Sequence, residues 1–129
     1  MENIIYEAGY LATYILNELQ IQNRAYPIYF HIDLEDNKKT KEFNSGSLKD
    51  DILEAINILD ANTKNTKSNL IIIPAEVTNN QSDRENAIVA IVFDNIYKKS
   101  ITISIPFRVK NNKLYVRCYE ILDNNNIKR

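Results

Sequence analysis

His31 and Asp33 come nearest to catalytic chemistry in this sequence. They stand two residues apart in an alternating segment, so on a strand they face the same way. A carboxylate beside an imidazole orients the ring and raises its basicity, as a general base requires. The same pair is half of a metal site, which Glu76 or Asp94 would have to complete. The chain has one histidine and one cysteine, so no metal and no cofactor is assigned. The ordinary alternative is stronger: polar residues alternating along a half-exposed strand. We therefore expect no catalytic residue and keep His31 and Asp33 as the weak candidates. Cys118 shares parity with Leu114 and Val116, which predicts a small buried hydrophobe, not a nucleophile.

A second group is richer. Arg108, Tyr115, Arg117 and Tyr119 share one face if segments 100–110 and 113–122 pair as strands. Tyr29 and His31 join them if the first strand lies in the same sheet with matching parity. Tyrosine and arginine combine contact area with fixed donors, the composition of binding hot spots. The competing reading is a polar sheet face with cross-strand pairs of aromatic and cationic side chains. Tyr6, Tyr10 and Tyr14 make a third group, at i, i+4, i+8 along a helix. They read as rim packing first and as a partner-binding ridge second.

Composition narrows the classes. The chain has 129 residues, enough for one domain, 1–129, with a tail from about 123 that should fray. Net charge is −1, so no long-range field favours a polyanion, and nucleic acid is an unlikely partner. A single cysteine fits a reducing compartment, and the acidic start MENIIYEAGY does not resemble a signal peptide. No apolar run approaches the roughly 18 residues of a membrane span. A cytoplasmic location is the expectation. Two glycines exclude a Gly-rich phosphate loop, so turns must use asparagine. The abundance of Asn, Ile and Lys reads as A/T-rich codon bias, as in a low-GC bacterium, a phage or a mobile element.

The elements that would position these residues follow from periodicity. Residues 3–23 repeat apolar positions at helical spacing: Ile4, Ile5, Ala8, Leu11, Ala12, Ile15, Leu16 and Leu19. Residues 26–34 alternate as a strand, with Pro27 hinting at an edge. A short strand at 40–44 would complete a hairpin. Ser47 caps a second helix with Asp50 and Asp51 in its first turn and a predicted stripe of Leu48, Ile52, Leu53, Ile56 and Leu59. Segments 60–69 and 78–86 read as exposed loops. Residues 70–77 and 87–94 are apolar almost throughout, which predicts strands buried on both faces, with an edge or bulge at Pro74. Strands 100–110 and 113–122 complete the set.

This pattern is α+β: a mostly antiparallel sheet of five to six strands, with the N-terminal and middle helices packed on one face. The alternative is a curled, cone-like sheet enclosing a pocket. The element order resembles the cone-shaped fold of nuclear-transport-factor-like proteins, which implies such a pocket. The functional expectation is a small non-enzymatic binding protein, of immunity, inhibitor or adaptor type, using the Tyr/Arg face on a protein partner. The alternatives are a ligand-binding or lyase/isomerase-like protein with His31 and Asp33 in a concave sheet, and a homo-oligomeric scaffold.

Overall fold

The computed structural model describes residues 2–78 and 83–126. Helix α1 spans Glu2–Gln22 and ends at Asn23, whose backbone is left-handed (φ 54) and whose N–H bonds the Leu19 carbonyl. Strands β1 (Ile28–Asp33) and β2 (Lys38–Glu42) form a hairpin. Helix α2 spans Leu48–Asn62. A turn of 3₁₀ helix leads into β3 (Thr66–Thr78), followed by β4 (Arg84–Asp94) and β5 (Lys99–Lys110). Two short strands, β6 (Lys113–Val116) and β7 (Glu120–Asn126), close the chain. The expected tail thus continues as paired strand through Asn126; residues 127–129 lie outside the described ones.

The sheet is antiparallel, ordered β2-β1-β3-β4-β5-β6, with β7 also on β5, and it curls into a half-barrel. Asparagine does take the turn positions that glycine would otherwise fill. Asn111 and Asn112, both at positive φ (53 and 62), make the two-residue β5–β6 hairpin turn.

The α+β class and the antiparallel sheet are as expected, and the curl is that of the alternative reading. The helices are not on one face. Ile28 and Phe30 of β1, Leu70 and Ile72 of β3, and Ile88, Ala90 and Val92 of β4 pack with the apolar stripe of α1. The intervening residues Tyr29, Ile71, Ile73, Ala87 and Val89 pack with Ala55 and Leu59 of α2. Alternate residues point to opposite faces, so the two helices sandwich the sheet. This accounts for β3 and β4: a strand covered on both faces is apolar at every position.

Three local expectations also change. The buried stripe of α2 is Asp51, Ala55 and Leu59, whereas Leu48 and Leu53 are half-exposed. Ala55 lets the helix approach the sheet closely, and the Asp51 carboxylate turns back to accept the Ser45 N–H at 3.1 Å. Segment 60–69 is not an exposed loop, because Thr63, Thr66, Ser68 and Asn69 are buried. Finally, 113–122 is not one strand. It breaks at 117–119, so β6 pairs with Phe107–Lys110 and β7 with Lys99–Ser104. Cys118 falls in that break and is exposed. Pro74 sits where β1 has already ended, at Ile72, so β3 is locally an edge there. Pro27 precedes an interior strand and offers its carbonyl to the Phe43 N–H.

Candidate functional site

Strand β4 pairs with β5 only from Asp94 back to Ala87, opposite Pro106. Beyond that point the two strands part. β4 continues to Arg84 on β3 alone, and β5 continues to Lys110 on β6. The parting opens a cleft of about 560 Å³ between a β3–β4 arm and a β5–β6 arm. Glu76, Arg84, Glu85 and Asn86 line one side. Phe107, Arg108, Tyr115, Val116 and Arg117 line the other.

Register determines how these side chains are shared out. Arg108 lies opposite Tyr115, on the face that carries α2 farther along the sheet. The guanidinium stands 5.9 Å from the Tyr115 ring centroid, in cation–π range. Among the described residues Arg108 has no carboxylate partner. The other two arginines are engaged: Arg117 bonds Glu85 across the cleft and lies 3.8 Å from Glu120, and Arg84 lies 3.7 Å from Glu76. The cleft therefore holds three cations and two carboxylates on its walls. Tyr119, in the break between β6 and β7, is 65% exposed, beside half-exposed Val116, Ile121 and Leu122.

So Arg108, Tyr115 and Arg117 do come together, and Tyr119 projects from the adjoining turn. Tyr29 and His31 do not join them. They share the sheet face by parity, but α2 lies over that part of it, and Tyr29 is only 4% exposed. Under α2 the Tyr29 hydroxyl meets His31 Nδ1 at 2.9 Å and receives Asn69 Nδ2 at 3.4 Å. Burial raises the tyrosine's pKa. Asp33 turns to its own backbone instead: one carboxylate oxygen accepts the N–H groups of Glu35 and Asn37, both at 2.9 Å, closing the β1–β2 turn. Those bonds hold its pKa below the usual carboxylate range. The two candidate catalytic groups are thus both committed to neighbours within the fold. Among the described residues no three His, Cys, Asp or Glu side chains are placed to hold a metal ion.

The His31 environment has a measurable consequence. Burial pushes its pKa below the usual 6.5, as does Lys39, against the pull of the Asp33 carboxylate. A depressed histidine pKa means that the unfolded chain binds the proton more readily. The associated stability is present above about pH 6.5 and is lost as pH falls through the lower folded value. Melting temperature is expected to fall on acidification from about pH 7 to 5, and the slope to flatten in His31→Gln. A wild-type profile that rises towards pH 5 would contradict this.

On α1, Tyr6 and Tyr10 are exposed and Tyr14 is partly so, its hydroxyl donating to a Glu42 carboxylate oxygen at 3.3 Å. No described helix is long and apolar enough to cross a membrane. Compared with known proteins, the chain matches no protein-family model, no curated protein and no solved structure, so the likeness of element order to the nuclear-transport-factor-like fold gains nothing from these comparisons.

Proposed function

We propose that this is a small binding protein that engages a protein partner through the β5–β6 arm. Arg108, Tyr115, Arg117 and Tyr119 form the contact. One observation carries the reading: Arg108 rests on a half-exposed tyrosine at the mouth of a cleft, with no carboxylate among the described residues to neutralise it. A cation displayed this way has its desolvation partly met by the ring and its charge left for a second molecule. Tyr119 and the half-exposed aliphatic residues around it supply apolar area. An adaptor, an inhibitor or an immunity protein needs no more machinery than this.

The test uses the full chain as bait in an extract of its own host. One partner is expected in stoichiometric amount, and purified partner should bind the Arg108→Ala and Tyr119→Ala variants about tenfold to a hundredfold more weakly. Tyr10→Ala, on the far side of α1, should bind as the parent does. Full affinity in both Arg108→Ala and Tyr119→Ala would remove this surface from the proposal.

A further inference from the structure

The parting of β4 and β5 leaves more than a set of side chains. Over Arg84–Asn86 strand β4 has β3 as its one described neighbour, and over Phe107–Lys110 strand β5 has β6 as its one described neighbour. Each strand therefore turns an open backbone edge towards the cleft. Open edges bind strands unless they are guarded. The outer edge at β2 is guarded by Lys38, Lys39 and Lys41 in five residues. The cleft edges carry no run of three like charges: β4 has Arg84 and Glu85, of opposite sign, and β5 has Arg108 and Lys110, cations that an acidic segment would neutralise.

We propose that the cleft takes an extended segment of a protein partner as an added strand, with acidic and apolar side chains in alternation. This rests on the partner-binding reading above and specifies what the partner presents. The alternation follows from parity. Side chains of an inserted strand point alternately to the two faces of the sheet. On one face they meet Arg108, Tyr115 and the Arg117–Glu85 pair, where the uncompensated charge is positive. On the other they meet Phe107 and Val116, which lie opposite each other in register. A carboxylate on the first face completes Arg108, and an aliphatic side chain on the second covers the Phe107–Val116 pair. The open edges are three and four residues long, so three to four residues of the segment pair.

The probe is the capped peptide acetyl-Val-Glu-Val-Glu-Val-amide, titrated into isotope-labelled full-length protein and followed by amide chemical shifts. Shifts are expected at 84–86, 107–110 and 115–117, with saturation. The Val-Lys-Val-Lys-Val counterpart should bind about tenfold more weakly or worse, and so should the Glu peptide to Arg108→Gln. Backbone N-methylation of the central residues should abolish binding, since it removes the donors a ladder needs. Equal affinity of the acidic and basic peptides, or shifts elsewhere, overturns the proposal. Sodium acetate giving the same shifts at the same affinity assigns Arg108 to a free anion and overturns the strand. Concentration-dependent dimerisation lost in Arg108→Gln, seen by light scattering, assigns the cleft to a second copy and also overturns it. If the peptide fails while Arg108→Ala and Tyr119→Ala still lose the captured partner, the added strand falls and the binding face stands.

Discussion

Replacing Ile72 by alanine is expected to lower the free energy of unfolding by about 3 to 4 kcal/mol. Ile72 is wholly buried, between Ile28 of β1 and Ala90 of β4, on the α1 face of the central strand. Both of its strand neighbours are held in register by further pairing, so the site has little room to collapse, and a cavity of about three methylene groups remains. For a domain whose total stability is about 5 to 15 kcal/mol, that is a large share. The arrangement of the helices makes a sharper forecast. Ile72 and Ile15 belong to one cluster, whereas Leu59 belongs to the cluster across the sheet. Ile72→Ala combined with Ile15→Ala should therefore be non-additive by about 0.5 kcal/mol or more, and combined with Leu59→Ala it should be additive within about that margin. Urea unfolding of the five variants decides it. Coupling to Leu59 and additivity with Ile15 would mean that the two faces have been assigned the wrong way round.

Much of this fold was legible because it rests on periodicity. All eight apolar positions read from 3–23 pack into one cluster, and the hairpin turns fall where asparagine and charge interrupt the apolar runs. The placement of the helices was also within reach. Strands 70–77 and 87–94 read as buried on both faces, and a sheet with both helices on one side cannot bury the other. The pattern of the strands and the placement of the helices were in conflict, and the strands held the better information. Parity failed where pairing failed. Cys118 and Tyr119 were placed by counting along one strand from Leu114, and the chain leaves the ladder at Arg117. Arg117 is drawn towards Glu85 across the cleft while its N–H bonds the Pro106 carbonyl. The Pro106 bond continues the hairpin register, whereas the Glu85 contact depends on where β4 and β5 part and cannot be counted from local spacing. The Arg108–Tyr115 pair needed only the hairpin, and it is in place. The cleft beside it needed the global curl and could not be read from alternation.

Replacing Asn69 by alanine is expected to cost about 2 to 3 kcal/mol, although no apolar contact of note is lost. The segment 60–69 looks like a solvated loop because it contains threonines, lysines and asparagines and no aliphatic anchor. Its polar side chains instead add a hydrogen-bonded latch to the apolar packing that holds α2 on the sheet. Asn69 is fully buried; its Nδ2 lies 3.2 Å from the Leu59 carbonyl, at the last turns of α2, and 3.4 Å from both Thr63 Oγ1 and the Tyr29 hydroxyl. Thr63 Oγ1 donates to that same carbonyl at 2.6 Å. The Leu59 carbonyl already accepts the Thr63 N–H, so the buried amide adds a further donor there and ties that carbonyl to the Thr63 and Tyr29 hydroxyls. Removing the amide strips one shared donor from three oxygens in a place that water cannot reach, although each keeps another bond: the Leu59 carbonyl to the Thr63 N–H, Thr63 Oγ1 to the Leu59 carbonyl, and the Tyr29 hydroxyl to His31. Volume alone should not repair the loss. Asn69→Leu, which keeps the branching and fills the space with bulkier methyl groups, is expected to be destabilised about as much as Asn69→Ala. Tyr29→Phe combined with Asn69→Ala should cost less than the sum of the two by about 0.5 kcal/mol or more, because both delete one shared bond. Recovery of parental stability in Asn69→Leu would show that the site is held by packing, and the polar latch under α2 would have to be abandoned.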